Sequence, residues 1–103
     1  SRIDSLETSL QRSLKDSTKI RLLVDLSVEY ESVDFSKSLS YAEKAVELAE
    51  RMNEPWALNA AYRNMGITQI LLGDYSTALR YSTQYLQNAI KISDSLQMSG
   101  AYN

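Results

Sequence analysis

The 103-residue chain has no cysteine and no histidine. Those absences remove thiol nucleophiles, Cys/His zinc sites and imidazole acid–base chemistry. One proline and three glycines are too few for the frequent turns of an all-β protein or the Gly-rich loops of βαβ units. No apolar run approaches about 18 residues, so no membrane insertion is expected of this segment. Eleven basic side chains against thirteen acidic ones leave a net charge of −2, with no basic footprint for nucleic acid. What is present is a 44% hydrophobic share, ordinary for one packed domain and too high for a disordered tail.

The apolar positions recur every three or four residues, the period of helices buried on one face. Ile3, Leu6, Leu10 and Leu14 form a stripe on a short first helix. Lys15-Asp16-Ser17-Thr18 interrupts it, and Asp16 or Ser17 is expected to cap the next helix, marked by Leu22, Leu23, Leu26 and Tyr30. Asp34 offers a cap for a third helix carrying Leu39, Ala42, Ala45, Val46 and Ala49. Pro55 suits the first turn of a fourth, since it has no amide hydrogen to leave unbonded. Gly73 suits its left-handed end. A last helix is predicted from about Tyr75 to Leu96. The expectation is an all-α fold of five helices with short connections.

The chain also repeats itself. At an offset of 39, Leu23, Leu26, Ser27 and Tyr30 fall on Tyr62, Met65, Gly66 and Gln69. At 40, Asp34-Phe35-x-x-Ser38-Leu39-x-Tyr41 falls on Asp74-Tyr75-x-x-Ala78-Leu79-x-Tyr81. Further on the offset becomes 44, aligning Ala45-Val46-x-Leu48 with Ala89-Ile90-x-Ile92. The extra four residues are about one helical turn, so the second copy lengthens its second helix while nearly keeping the buried face. Small Ser27, Ser38, Ala42, Ala45, Gly66 and Ala78 would let helix axes approach. The expected division is an N-terminal helix over 1–18, repeats over 19–54 and 55–98, and the opening of a third repeat over 99–103. Ala101 and Asn103 match Ala57 and Asn59, so the chain is expected to be a piece of a longer solenoid.

Tyr62-x-x-Met65-Gly66 followed by Leu72-Gly73-Asp74-Tyr75-x-x-Ala78-Leu79 resembles the tetratricopeptide repeat family. Leu23-x-x-Leu26-Ser27-x-x-Tyr30 with Ser38, Ala42, Ala45 and Pro55 resembles it in the first copy. Ser27 for glycine, Gln69 for tyrosine, Ser82 for an aromatic and a period near 40 rather than about 34 are departures. The resemblance implies antiparallel helical hairpins stacked as a short right-handed superhelical solenoid. More narrowly, Asp16-Ser17-Thr18-Lys19-Ile20-Arg21-Leu22-Leu23 and Lys37-Ser38-Leu39-x-Tyr41-Ala42-Glu43-Lys44-Ala45 are similar to sensor regions of Bacteroidetes signalling proteins. In those, such repeats precede a histidine kinase, nucleotide cyclase or DNA-binding output. A periplasmic location would follow for a membrane sensor, a cytoplasmic one otherwise.

No catalytic arrangement emerges from the residues, and no cofactor or metal is expected. Glu43, Glu47 and Glu50 sit at helical spacing and read as solvated surface; Glu43 and Glu47 flank Lys44, and Glu47 is placed for i,i+4 pairing with Arg51. Fifteen serines lack a histidine to activate one, and Gly66 and Gly73 are isolated rather than part of a phosphate loop. Tyr30, Phe35, Tyr62 and Tyr75 are expected in the core, while Tyr41, Tyr81, Tyr85 and Tyr102 are unassigned. Residues 55–103 carry only two acids and three bases, so that half should be extensively covered by contacts.

The function expected is protein or peptide binding; the alternative is a spacer or dimerisation segment without a ligand. In the family the groove is lined by the first helix of each repeat. Residue by residue this implies Arg21, Val24, Asp25, Val28, Glu31 and Ser32, then Ala60, Arg63, Asn64, Ile67, Ile70 and Leu71. Val24 and Val28 stand where chaperone-binding members carry a carboxylate clamp, and only Asn64 fits that clamp. A homodimer face is also expected on the last helix, from Leu79, Tyr81, Tyr85, Leu86, Ile90 and Ile92.

Overall fold

The computed structural model describes residues 1–13 and 15–98, with side chains through Asp94. It contains five helices: α1 (Arg2–Arg12), α2 (Asp16–Tyr30), α3 (Phe35–Met52), α4 (Pro55–Leu72) and α5 (Tyr75–Met98). The fold is all-α, and no strand occurs among the described residues. Leu14 and the 99–103 segment expected to open a third repeat lie outside those residues.

Local chemistry sets most helix boundaries. The Asp34 carboxylate accepts from the Lys37 amide at the start of α3. Pro55 is the first residue of α4. Gly73 ends α4 at φ 83°, a left-handed conformation that costs glycine little. Asn53 ends α3 in the same region, at φ 54°. The expected cap on α2 is a correction. Lys15 occupies that position with no side-chain bond, and Asp16 is already inside the first turn. There its charge favours the positive end of the helix dipole without satisfying an amide directly.

Sequential helices pack on one another, and α2 additionally meets α4. The main core lies where α4 crosses the first hairpin. Ile20 and Leu23 of α2, Ala45, Leu48 and Ala49 of α3, and Ala57 and Ala61 of α4 form one buried cluster. The small residues expected at close approaches, Ser27, Ser38, Ala42, Ala45, Gly66 and Ala78, are all buried. Ser38 Oγ donates to the Ser27 carbonyl at 2.7 Å and lies 3.5 Å from the Thr68 hydroxyl. This polar contact sits inside an apolar layer and is satisfied there.

Tyr30 is buried as expected, and Phe35 and Tyr62 are half-buried. Tyr75 is not in the core: it is 69% exposed. It stands on the stripe of α5 shared with Leu79, Leu86 and Ile90, spaced by four, seven and four residues and turned away from α4. The low-charge half is therefore less covered than its composition suggests. Glu43, Glu47 and Glu50 are exposed, but no ion pair joins Glu47 to Arg51. Lys44 instead lies 5.4 Å from the Tyr41 ring centre. No described helix is long and apolar enough to cross a membrane.

Candidate functional site

The residues expected to line one groove fall into two hollows. The first lies between α4 and α5. Tyr62, Arg63, Gly66, Ile67 and Ile70 come from α4, and Ser82 and Tyr85 from α5, around a cleft of about 220 Å³. Gly66 lines this cleft, and a Cβ placed on it would lie 3.6 Å from Ser82 Oγ and 3.7 Å from Tyr81 Cβ, in ordinary van der Waals contact with α5. Arg63 is exposed, and no carboxylate pairs with it among the described residues.

The second hollow lies at the N-terminal ends of α2 and α4, lined by Ser17, Thr18, Ile20, Arg21, Glu54 and Trp56. The Arg21 guanidinium sits 5.5 Å from the Trp56 ring centre, and the Trp56 indole donates to Glu54 at 3.1 Å. Arg21 is thus committed to a cation–π contact and does not join Arg63.

Between the hollows, Val28 is exposed, Asp25 is half-buried, and half-buried Val24 packs against the core cluster. Leu71 is exposed one turn beyond Ile67. Asn64 is a correction: at 3% exposure it lies beneath the surface expected to display it. The turn of α4 that carries it faces inward with Ala57, Ala61 and Thr68. Its backbone carbonyl accepts from the Thr68 hydroxyl at 2.9 Å.

Glu31 is half-buried at the end of α2. Burial raises its pKa, and the nearby positive charge of Arg63 partly opposes that rise. Its Oε1 is buried and has no hydrogen-bond partner among the described residues, as is Asn59 Oδ1. Burial also raises the Tyr62 pKa, helped by the charge of Glu50.

The expected dimer face divides as well. Leu79, Leu86 and Ile90 are exposed on the outer stripe of α5. Tyr81, Tyr85 and Ile92 are half-buried, with Tyr81 facing Gly66 at the α4–α5 approach and Tyr85 lining the cleft. These six residues therefore do not form one free surface. No group of three or more acidic side chains is placed to hold a metal among the described residues.

A helical hairpin stack, small residues at its crossings and a Gly-lined cleft on its second hairpin together make a repeat protein. The family model described as the SusR N-terminal TPR domain matches residues 1–95. The chain belongs to this family. The match runs from α1 into α5, and it supports the narrower link to SusR-like proteins of Bacteroidetes. No curated protein and no solved structure matches the chain. TPR domains in general mediate protein interactions.

Sequence reasoning missed two features of this TPR domain. One is the contribution of α5 to the cleft, through Ser82 and Tyr85. The other is Glu7, which accepts from both the Tyr30 and the Tyr41 hydroxyls. The pairing of Asp34-x-x-x-Ser38 with Asp74-x-x-x-Ala78 held the signal for the first, because it aligned the second helices too.

Proposed function

We propose that this TPR domain is a non-catalytic protein- or peptide-binding module, the sensor and interaction region of a larger bacterial signalling protein. The observation that carries the reading is the α4–α5 cleft. There the Arg63 guanidinium, in no salt bridge among the described residues, stands beside Ile67, Ile70 and Tyr85. Apolar walls with one polar anchor suit an amphipathic peptide. The family's description as an N-terminal domain supports further chain beyond this segment in the complete protein.

A second reading, a spacer that dimerises, is favoured by the exposed stripe of Leu79, Leu86 and Ile90. The two readings separate by mutation. A partner captured on the immobilised domain should be lost in Arg63→Glu and Ile70→Asp and kept in Leu79→Asp. Concentration-dependent sedimentation that disappears in Leu79→Asp, with no partner lost in Arg63→Glu, would instead establish the dimerisation reading.

A further inference from the structure

The hollow at the N-terminal ends of α2 and α4 holds two opposite charges that do not neutralise each other. Arg21 and Glu54 both line its volume of about 300 Å³, yet no salt bridge joins them among the described residues. The Trp56 indole touches both. Its ring centre lies 5.5 Å from the guanidinium, and its N–H donates to Glu54 at 3.1 Å. The cation–π contact engages the charge of Arg21 but none of its five N–H donors. The indole occupies one carboxylate oxygen of Glu54 and leaves the other with accepting capacity. Ile20 is fully buried and so lies at the base, while exposed Ser17 and Thr18 bring hydroxyls to the rim.

Helix stacking does not account for this cluster. The 39-residue offset carries Ser17 to Trp56 and Arg21 to Ala60, so the second copy lacks the guanidinium. The walls are also already in contact, since Ile20 shares a buried cluster with Ala57 and Ala61 of α4. A lone anion here would face Glu54, and a lone cation would face Arg21. An apolar molecule would leave both charges unmatched. A small dipolar ion matches both.

We propose that this hollow binds a free α-amino acid with an apolar side chain. Its carboxylate meets the Arg21 fork, its ammonium meets Glu54, and its side chain lies against Trp56 and Ile20. The site is separate from the α4–α5 cleft and does not depend on the protein-binding reading. Arg21 belongs to α2 and Glu54 immediately precedes α4, so occupancy ties the first hairpin to the second.

Trp56 is the chain's only tryptophan, so its emission reports on the hollow. Titrating the 103-residue chain with L-leucine or L-phenylalanine should change that emission saturably. Two analogues of leucine isolate its charges: 4-methylpentanoate lacks the ammonium, and 3-methylbutylamine lacks the carboxylate. Each should bind about tenfold more weakly or worse. Glu54→Gln should erase the preference for leucine over 4-methylpentanoate, and Arg21→Met the preference over 3-methylbutylamine. Arg21 is exposed and Glu54 makes no side-chain cap bond, so helicity should stay unchanged in both variants. Arg21→Gln serves if the methionine variant does not fold.

Absence of a saturable change with both amino acids overturns the proposal. So does equal binding of leucine and its two analogues, or a preference indifferent to Glu54→Gln and Arg21→Met. Tighter binding of 4-methylpentanoate than of leucine makes the hollow an anion site and also overturns it. Loss of leucine binding in Ile70→Asp moves the ligand to the α4–α5 cleft, with the same consequence.

Discussion

The Tyr41 hydroxyl on α3 donates to the Glu7 carboxylate on α1 across 2.6 Å. Tyr30 of α2 donates to the same oxygen at 3.1 Å, and the two rings stack with centres 5.7 Å apart. One carboxylate thereby ties three helices together. α1 contains no fully buried residue, so this tie adds to the half-buried packing of Ile3, Leu6 and Leu10, the last of which rests on the main core.

Glu7→Ala should lower stability by about 1–2 kcal/mol, the range for lost hydrogen bonds to a charged group in a partly exposed site. Urea unfolding measures the loss. Hydrogen exchange should accelerate in α1 more than in α3; uniform acceleration would deny Glu7 its anchoring role.

Alkaline pH should weaken the same contact. Burial first, and then the bond to Glu7 and its negative charge, push Tyr41 from 10.0 up to about 12. Between those values the folded chain holds a proton that the unfolded chain releases. Stability is thus intact below pH 10 and falls as pH rises through the folded value. Melting temperatures across that window should drop more steeply in the native chain than in Tyr41→Phe.

Gly66 should respond to side-chain size with a change of sign. The added Cβ of Gly66→Ala meets ordinary contacts of 3.6–3.8 Å, so improved helix propensity should stabilise by about 0.5–1 kcal/mol. Gly66→Leu drives further atoms toward Ser82 and Tyr81 and should cost about 1–3 kcal/mol. Thermal unfolding of both variants checks the α4–α5 register.

Glu31→Gln should raise the melting temperature at neutral pH. Burial holds the carboxyl above its ordinary 4.5, so its ionised form is disfavoured in the folded chain. Removing that ionisation should therefore raise the melting temperature at neutral pH, as thermal unfolding of both chains would show. The advantage should vanish as pH falls below the ordinary glutamate range, where Glu31 is neutral in both states.

The helices were legible wherever the deciding chemistry is local. Asp34, Pro55 and Gly73 act within one turn of themselves, and all three stand where the sequence puts them. Periodicity and self-similarity also placed the buried serines and alanines. Asn64 and Tyr75 were misread because their exposure depends on which helix crosses which, information absent from a single segment. The cleft was half legible. The first helices of the repeats suggested Arg63 and Ile67, but its other wall exists only once α5 folds back on Gly66.

The buried contact between Ser38 and Thr68 limits how the stack can deform. A slide of α4 by one helical turn, about 5.4 Å, would carry Asn64 or Leu72 to the place of Thr68. One direction would also press Met65 into the space that fits Ala61. Neither shifted register keeps the serine–threonine contact or the fit of the alanines. The hairpins are therefore keyed to a single register, and strain applied at α4 passes to α2 and α3 as tilt instead of being lost in slippage.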